Sequence, residues 1–156
     1  MNRFTMTIIL FSSISLFSSN TIAETVSQAE SDATRILMLE KALAPQTPVG
    51  LASMFAKANK DRNGAVQFML FSNQLKNEYK NNWPYWVSGT SSPWILSYTI
   101  KKIPQNKDSW QFQITYQWAT ADGPFKPDLI QVIVVEPTPK ANNSSQQWWI
   151  SKFKEN

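Results

Sequence analysis

The sequence predicts an α+β domain in which N-terminal helices pack on a curved, four-stranded antiparallel sheet. Three observations carry this. From Ser109 to Thr120, large apolar residues alternate strictly with polar ones (Trp110, Phe112, Ile114, Tyr116 and Trp118 against Gln111, Gln113, Thr115, Gln117 and Ala119). This is the period of a β-strand with one face to bury. Leu129 to Val135 is nearly all apolar and β-branched, which reads as a central strand covered on both faces. The half that precedes these strands carries apolar residues at helical spacing between polar caps. Helices first and antiparallel strands second define the class.

Taken in order, Met1 to Ala23 has the form of a secretory signal peptide. Arg3 supplies the charged start, Met6 to Phe17 the apolar stretch, and Thr21-Ile22-Ala23 the small-residue cleavage site. The apolar stretch is far short of the ~20 residues that span a bilayer. No cysteine follows it to carry a lipid. The expectation is therefore an exported domain, periplasmic or secreted, with no membrane anchor after cleavage. Residues 24–31 are read as a flexible lead-in and 32–156 as the domain.

Asp32 is placed to cap a helix through Leu43, with Ile36, Leu37, Leu39 and Leu43 as its apolar stripe. Ala44-Pro45-Gln46-Thr47-Pro48 interrupts it. Thr47 as N-cap with Pro48 in the first helical position starts a second helix through about Lys60. Its inward set is Val49, Leu51, Ala52, Met54, Phe55 and Ala58. Lys60 to Gly64 is a polar turn, Ala65 to Leu70 resumes helix, and Ser72 caps a last helix through about Asn81. Strands are expected over Trp94–Ile103, Ser109–Thr120, Asp128–Glu136 and Gln147–Phe153, separated by segments rich in proline, asparagine and glycine.

Composition excludes several chemistries. The chain has no histidine and no cysteine, so it builds no Cys/His zinc site, no Ser-His-Asp triad, no cysteine nucleophile and no disulfide. Its four glycines form no phosphate loop. The formal charge of +4 is spread along the chain, with no basic run longer than Lys101-Lys102, so no nucleic-acid footprint is present. No metal and no cofactor is expected. Stability must come from packing, for which seven tryptophans and nine phenylalanines are ample material.

Two runs then resemble a known family. Ala58-Asn59-Lys60-Asp61-Arg62-Asn63-Gly64-Ala65-Val66-Gln67-Phe68-Met69-Leu70-Phe71-Ser72, followed by Leu75-Lys76, and Trp86-Val87-Ser88-Gly89-Thr90-Ser91-Ser92-Pro93-Trp94 are similar to segments of small secreted bacterial members of the NTF2-like (cystatin-like cone) superfamily. The resemblance covers about Pro48 to Phe153. It implies the cone fold and export, and frequent dimerisation through the sheet, but no active site, since function in a fold this widely used must be argued from the site. Enzymes of the superfamily use an aspartate, or an Asp-His pair, inside the cone, often with a tyrosine donor. Here a histidine-dependent version is impossible. The expected strand interiors also contain no Asp or Glu, because Asp108, Asp122, Asp128 and Glu136 fall at strand ends or in turns. No catalytic residue is assigned.

The candidate site residues each have a structural rival. Trp86 and Trp94 bracket a hydroxyl-rich loop that either lines a ligand mouth at the cone rim or is locked by two core indoles. Asn63 and Gln67 either reach a pocket or satisfy a backbone turn. Tyr116 and Trp118 either form part of an aromatic ligand wall or pack the core. Trp148 and Trp149 point to opposite faces of the last strand, so one of them is a candidate interaction surface. The expected function is that of a non-catalytic binding or interaction module of the bacterial envelope, with a small apolar ligand or an envelope protein as partner. The alternative is a small acid/base enzyme of the ketosteroid-isomerase type with a carboxylate in the cone.

Overall fold

A computed structural model describes residues 27–81, 93–104, 109–140 and 146–156. In chain order it contains helices α1 (Gln28–Leu43), α2 (Pro48–Lys60), α3 (Gly64–Met69) and α4 (Asn73–Tyr79), then strands β1 (Trp94–Ile103), β2 (Trp110–Thr120), β3 (Gly123–Pro137) and β4 (Trp148–Glu155). The strands form one antiparallel sheet in the order β1-β2-β3-β4. The sheet is open, with β1 and β4 as its outer strands.

Local chemistry explains the helix starts. Thr47 accepts from the Gly50 amide and Pro48 occupies the first turn of α2, as the sequence predicts. Asn63 caps α3 by accepting from Val66, and Ser72 caps α4 by accepting from Leu75. Helix α1 begins ahead of Asp32. Ser27 is its cap, and a reciprocal capping box with Glu30 draws Gln28 to Ser31, part of the expected lead-in, into the helix.

One face of the sheet carries the core. Phe112, Ile114 and Tyr116 of β2, Ile133 and Val135 of β3 and Ile150 of β4 are fully buried against Leu51, Ala52, Phe55 and Ala56 of α2, Met69 of α3, Leu70, Phe71, and Leu75 of α4. Phe55, Phe71, Tyr79 and Phe153 touch one another at ring separations of 5.7–6.0 Å, tilted or edge-on, the geometry that aromatic rings prefer. The alternation of β2 thus does what it predicts. Its cover is α2 with the short helices, and α1 takes no part in it.

Four expectations are corrected. No residue of α1 is buried, and Ile36, Leu37, Met38, Leu39 and Leu43 are all exposed. On α2, Val49 is 53% exposed rather than inward. The β3 run is not covered on both faces, because Ile130, Val132 and Val134 on its outer side are only half-buried. Strands β3 and β4 are longer than expected. β3 starts at Gly123, where a tight turn after Thr120 places that glycine at φ 119°, and β4 continues to Glu155.

The two edges differ. Ile150 of β4 makes a parallel bridge to Phe71, its amide donating to the Leu70 carbonyl and its carbonyl accepting from Ser72. The turn between α3 and α4 therefore staples the outside of β4. At the other edge, β1 carries Lys101 and Lys102, the latter lying 3.5 Å from the centre of the Trp110 ring.

Candidate functional site

Polar side chains inside an apolar core are costly unless paired, so they mark where sequence and fold have a special arrangement. Here they converge beneath the middle of the sheet. Gln131, on β3 directly opposite Ile114, is 1% exposed. Its Oε1 accepts from the Tyr116 hydroxyl at 2.9 Å and from Asn59 Nδ2 of α2 at 3.3 Å. Its Nε2 donates to Glu155 Oε2 at 2.7 Å, across the β3–β4 pair. One amide thus joins a buried phenol, a buried asparagine and a carboxylate at the exposed end of β4.

Gln67 of α3 is wholly buried as well, and its Nε2 donates to the Phe55 carbonyl at 3.5 Å. Asn59 lies one turn beyond Phe55 on α2, so both buried amides flank the same stretch of helix. Asn59 Oδ1 and Gln67 Oε1 are buried without a hydrogen-bond partner. Burial pushes the Tyr116 hydroxyl well above its ordinary value, with the Glu155 charge adding to the effect and the Asn59 side chain opposing it. Tyr116 is therefore a protonated donor at neutral pH. A side-chain amide does not ionise, so Gln131 separates phenol from carboxylate instead of passing a proton between them. Chemically this is a hydrogen-bonding hub.

The residues singled out from sequence fall in separate places. Tyr116 is in the hub and Gln67 is the buried amide near it. Asn63 is an exposed helix cap bonded to Val66. Trp94 opens β1 and is 39% exposed. Trp118 is half-buried, donating to the Pro127 carbonyl at 2.8 Å and meeting Phe125 edge-on. Trp86 lies outside the described residues. Trp148 packs beside the core and donates to the Gln46 carbonyl at 3.2 Å, while Trp149, facing the other way opposite Glu136, is half-buried.

Asn59, Gln131 and Glu155 were not among the expected site residues. The first two have a legible signal: each is an amide in an otherwise apolar inward set. Glu155 has none, since the expected strand stops short of it. Among the described residues no group of three or more Asp or Glu side chains is placed to hold a metal ion, and no helix is long and apolar enough to cross a membrane. No protein-family model matches the chain, and no curated protein is significantly similar to it.

Proposed function

We propose that the protein is an exported, non-catalytic interaction module of the bacterial envelope, built on an NTF2-like cone, that works through its surface. The observation that carries this is α1. Sixteen residues are held as helix, none of them buried, with five large apolar side chains exposed. Monomeric proteins rarely present so concentrated an apolar surface without a partner for it. Behind the aromatic strand lie mutually packed rings and the Gln131 hub. Export rests on the signal-like first 23 residues.

The test is cell fractionation together with assay of the purified protein on isomerase, dehydratase and hydrolase substrates. An exported protein without turnover is expected. The enzyme reading draws on one specific observation, the Glu155–Gln131–Tyr116 chain, which does bring a carboxylate to the helix-facing side of the sheet. Turnover that is lost in both Tyr116→Phe and Glu155→Gln would establish that reading in place of ours.

A further inference from the structure

We infer that the core contains a binding site for one small neutral molecule that donates twice, a buried water, held between the side-chain amides of Asn59 and Gln67. The inference concerns the interior and stands or falls separately from the surface reading.

Two acceptors carry it. Asn59 and Gln67 are both 0% exposed, and among the described residues Asn59 Oδ1 and Gln67 Oε1 have no hydrogen-bond partner. A buried carbonyl oxygen without a donor keeps the full penalty of losing its hydration, so native chains satisfy such atoms with protein or with ordered water. The donors nearest in the hub are engaged, because the Tyr116 hydroxyl is spent on Gln131 Oε1 and Gln131 Nε2 on Glu155.

The two amides stand together. Gln67 Nε2 donates to the Phe55 carbonyl. Asn59 lies four residues on in α2, so its backbone amide is the helical donor to that same carbonyl. Both residues therefore meet α2 at one turn. The bonds flanking this spot are also the longest of the network. Gln67 to Phe55 spans 3.5 Å and Asn59 to Gln131 3.3 Å, against 2.9 Å from Tyr116 to Gln131 and 2.7 Å from Gln131 to Glu155. The slack falls on the side where a further small group has to fit.

Turning an amide over does not remove the need. Reversed, Gln67 would set its oxygen against the Phe55 carbonyl, and Asn59 would set its oxygen against Gln131 Oε1. Each reversal brings two acceptors together and leaves an unpartnered donor in place of an unpartnered acceptor.

The chemistry of the site selects its ligand. Two uncharged oxygens call for a molecule with two donors, and a buried water typically makes about three such bonds. A metal or ammonium ion is the poorer fit. The one carboxylate of the hub, Glu155, is exposed and already bonded to Gln131, so a cation here would be buried without a counter-charge. An organic molecule fits less well too, because the neighbouring Phe55, Ala58 and Met69 on the same two helices are themselves buried. With the water in place, Gln67 of α3 joins Asn59 of α2 and, through it, Gln131 and Tyr116. One connected polar network then runs from α3 to the end of β4.

The experiment is a crystal structure of the whole chain fine enough to place ordered water, with water-oxygen magnetic relaxation dispersion to count waters held inside the protein in solution. A single round density peak is expected about 2.5–3.0 Å from both oxygens. Gln67→Met and Asn59→Leu should each lower the dispersion amplitude by the share of one water, and Glu155→Gln should leave it unchanged. Circular dichroism confirms that each variant folds, and the wild-type crystal structure decides alone if the core variants do not. A dry site, a peak bonded to only one of the two oxygens, or amides turned onto protein donors overturns the inference. So does density too large for one water, which would make this an organic ligand's site, or an amplitude that neither core substitution lowers. Turnover that depends on Tyr116 and Glu155 would end the surface reading and leave this site untouched.

Discussion

Replacing Gln131 by leucine is the sharpest test of the hub, because similar volume is kept while three polar contacts vanish. Tyr116 Oη and Asn59 Nδ2, now 2.9 and 3.3 Å from Gln131 Oε1, lose their acceptor inside the core. Each stranded buried donor costs about 1–3 kcal/mol. Glu155 is exposed and exchanges its partner for water at little cost. Extra apolar burial returns about 1 kcal/mol, so Gln131→Leu should destabilise by about 1–5 kcal/mol. Tyr116→Phe alone leaves Gln131 still bonded to Asn59 and should cost about 1 kcal/mol. Made on top of Gln131→Leu, however, it removes a stranded hydroxyl and should regain about 1 kcal/mol. The double-mutant cycle therefore predicts a coupling of about 2 kcal/mol. Urea unfolding followed by tryptophan fluorescence and far-ultraviolet circular dichroism measures all four corners. Costs that simply add within about 0.5 kcal/mol would refute the hub as described.

Other outcomes follow from the same structure. Phe55→Ala, at the centre of the ring cluster and 0% exposed, should cost about 3–5 kcal/mol and be visible as a large drop in thermal midpoint. Thr47→Ala should lower global stability by about 1 kcal/mol, and Ser27→Ala should fray the first turn of α1, read as faster amide hydrogen exchange there. Alkaline pH should destabilise the fold. Burial raises the Tyr116 and Tyr79 hydroxyls above their ordinary value of 10.0, so the folded state holds these protons while the unfolded chain sheds them. The stabilisation is complete below pH 10.0 and is lost as pH rises beyond it. Tyr116→Phe should flatten that decline in a urea midpoint measured against pH.

How much of this could be read from the chain depends on which physical rule was local. The alternation in β2, the Thr47-Pro48 helix start and the limits of β1 are set by residues within a turn or a strand of one another, and they appear as expected. The placement of α1 was not legible. Ile36, Leu39 and Leu43 state that one side of the helix wants cover, and nothing in their spacing says from where. Strand β3 is expected only from Asp128 because Asp122-Gly123-Pro124 reads as a breaker. The structure pairs Pro124 with Ala119 and passes Pro127 through an irregularity in the β2–β3 register, where Trp118 donates to the Pro127 carbonyl. The hub was half legible, since Gln131 is a lone amide in a β-branched run. Its partners sit 72 and 24 residues away, and only the register of the folded sheet brings them together.

The staple that Phe71 places on Ile150 has a consequence for how far such molecules can add to one another. A sheet with both borders bare can take a neighbour on each side and grow without limit. With the start of β4 occupied by its own chain, β1 is the more open border, and Lys101 and Lys102 guard it. Edge-to-edge growth would favour pairing through β1, since the β4 border offers a neighbour less free backbone. A chain without cysteine has no disulfide to hold its shape, and this one short bridge takes part of one sheet border out of reach of a neighbour.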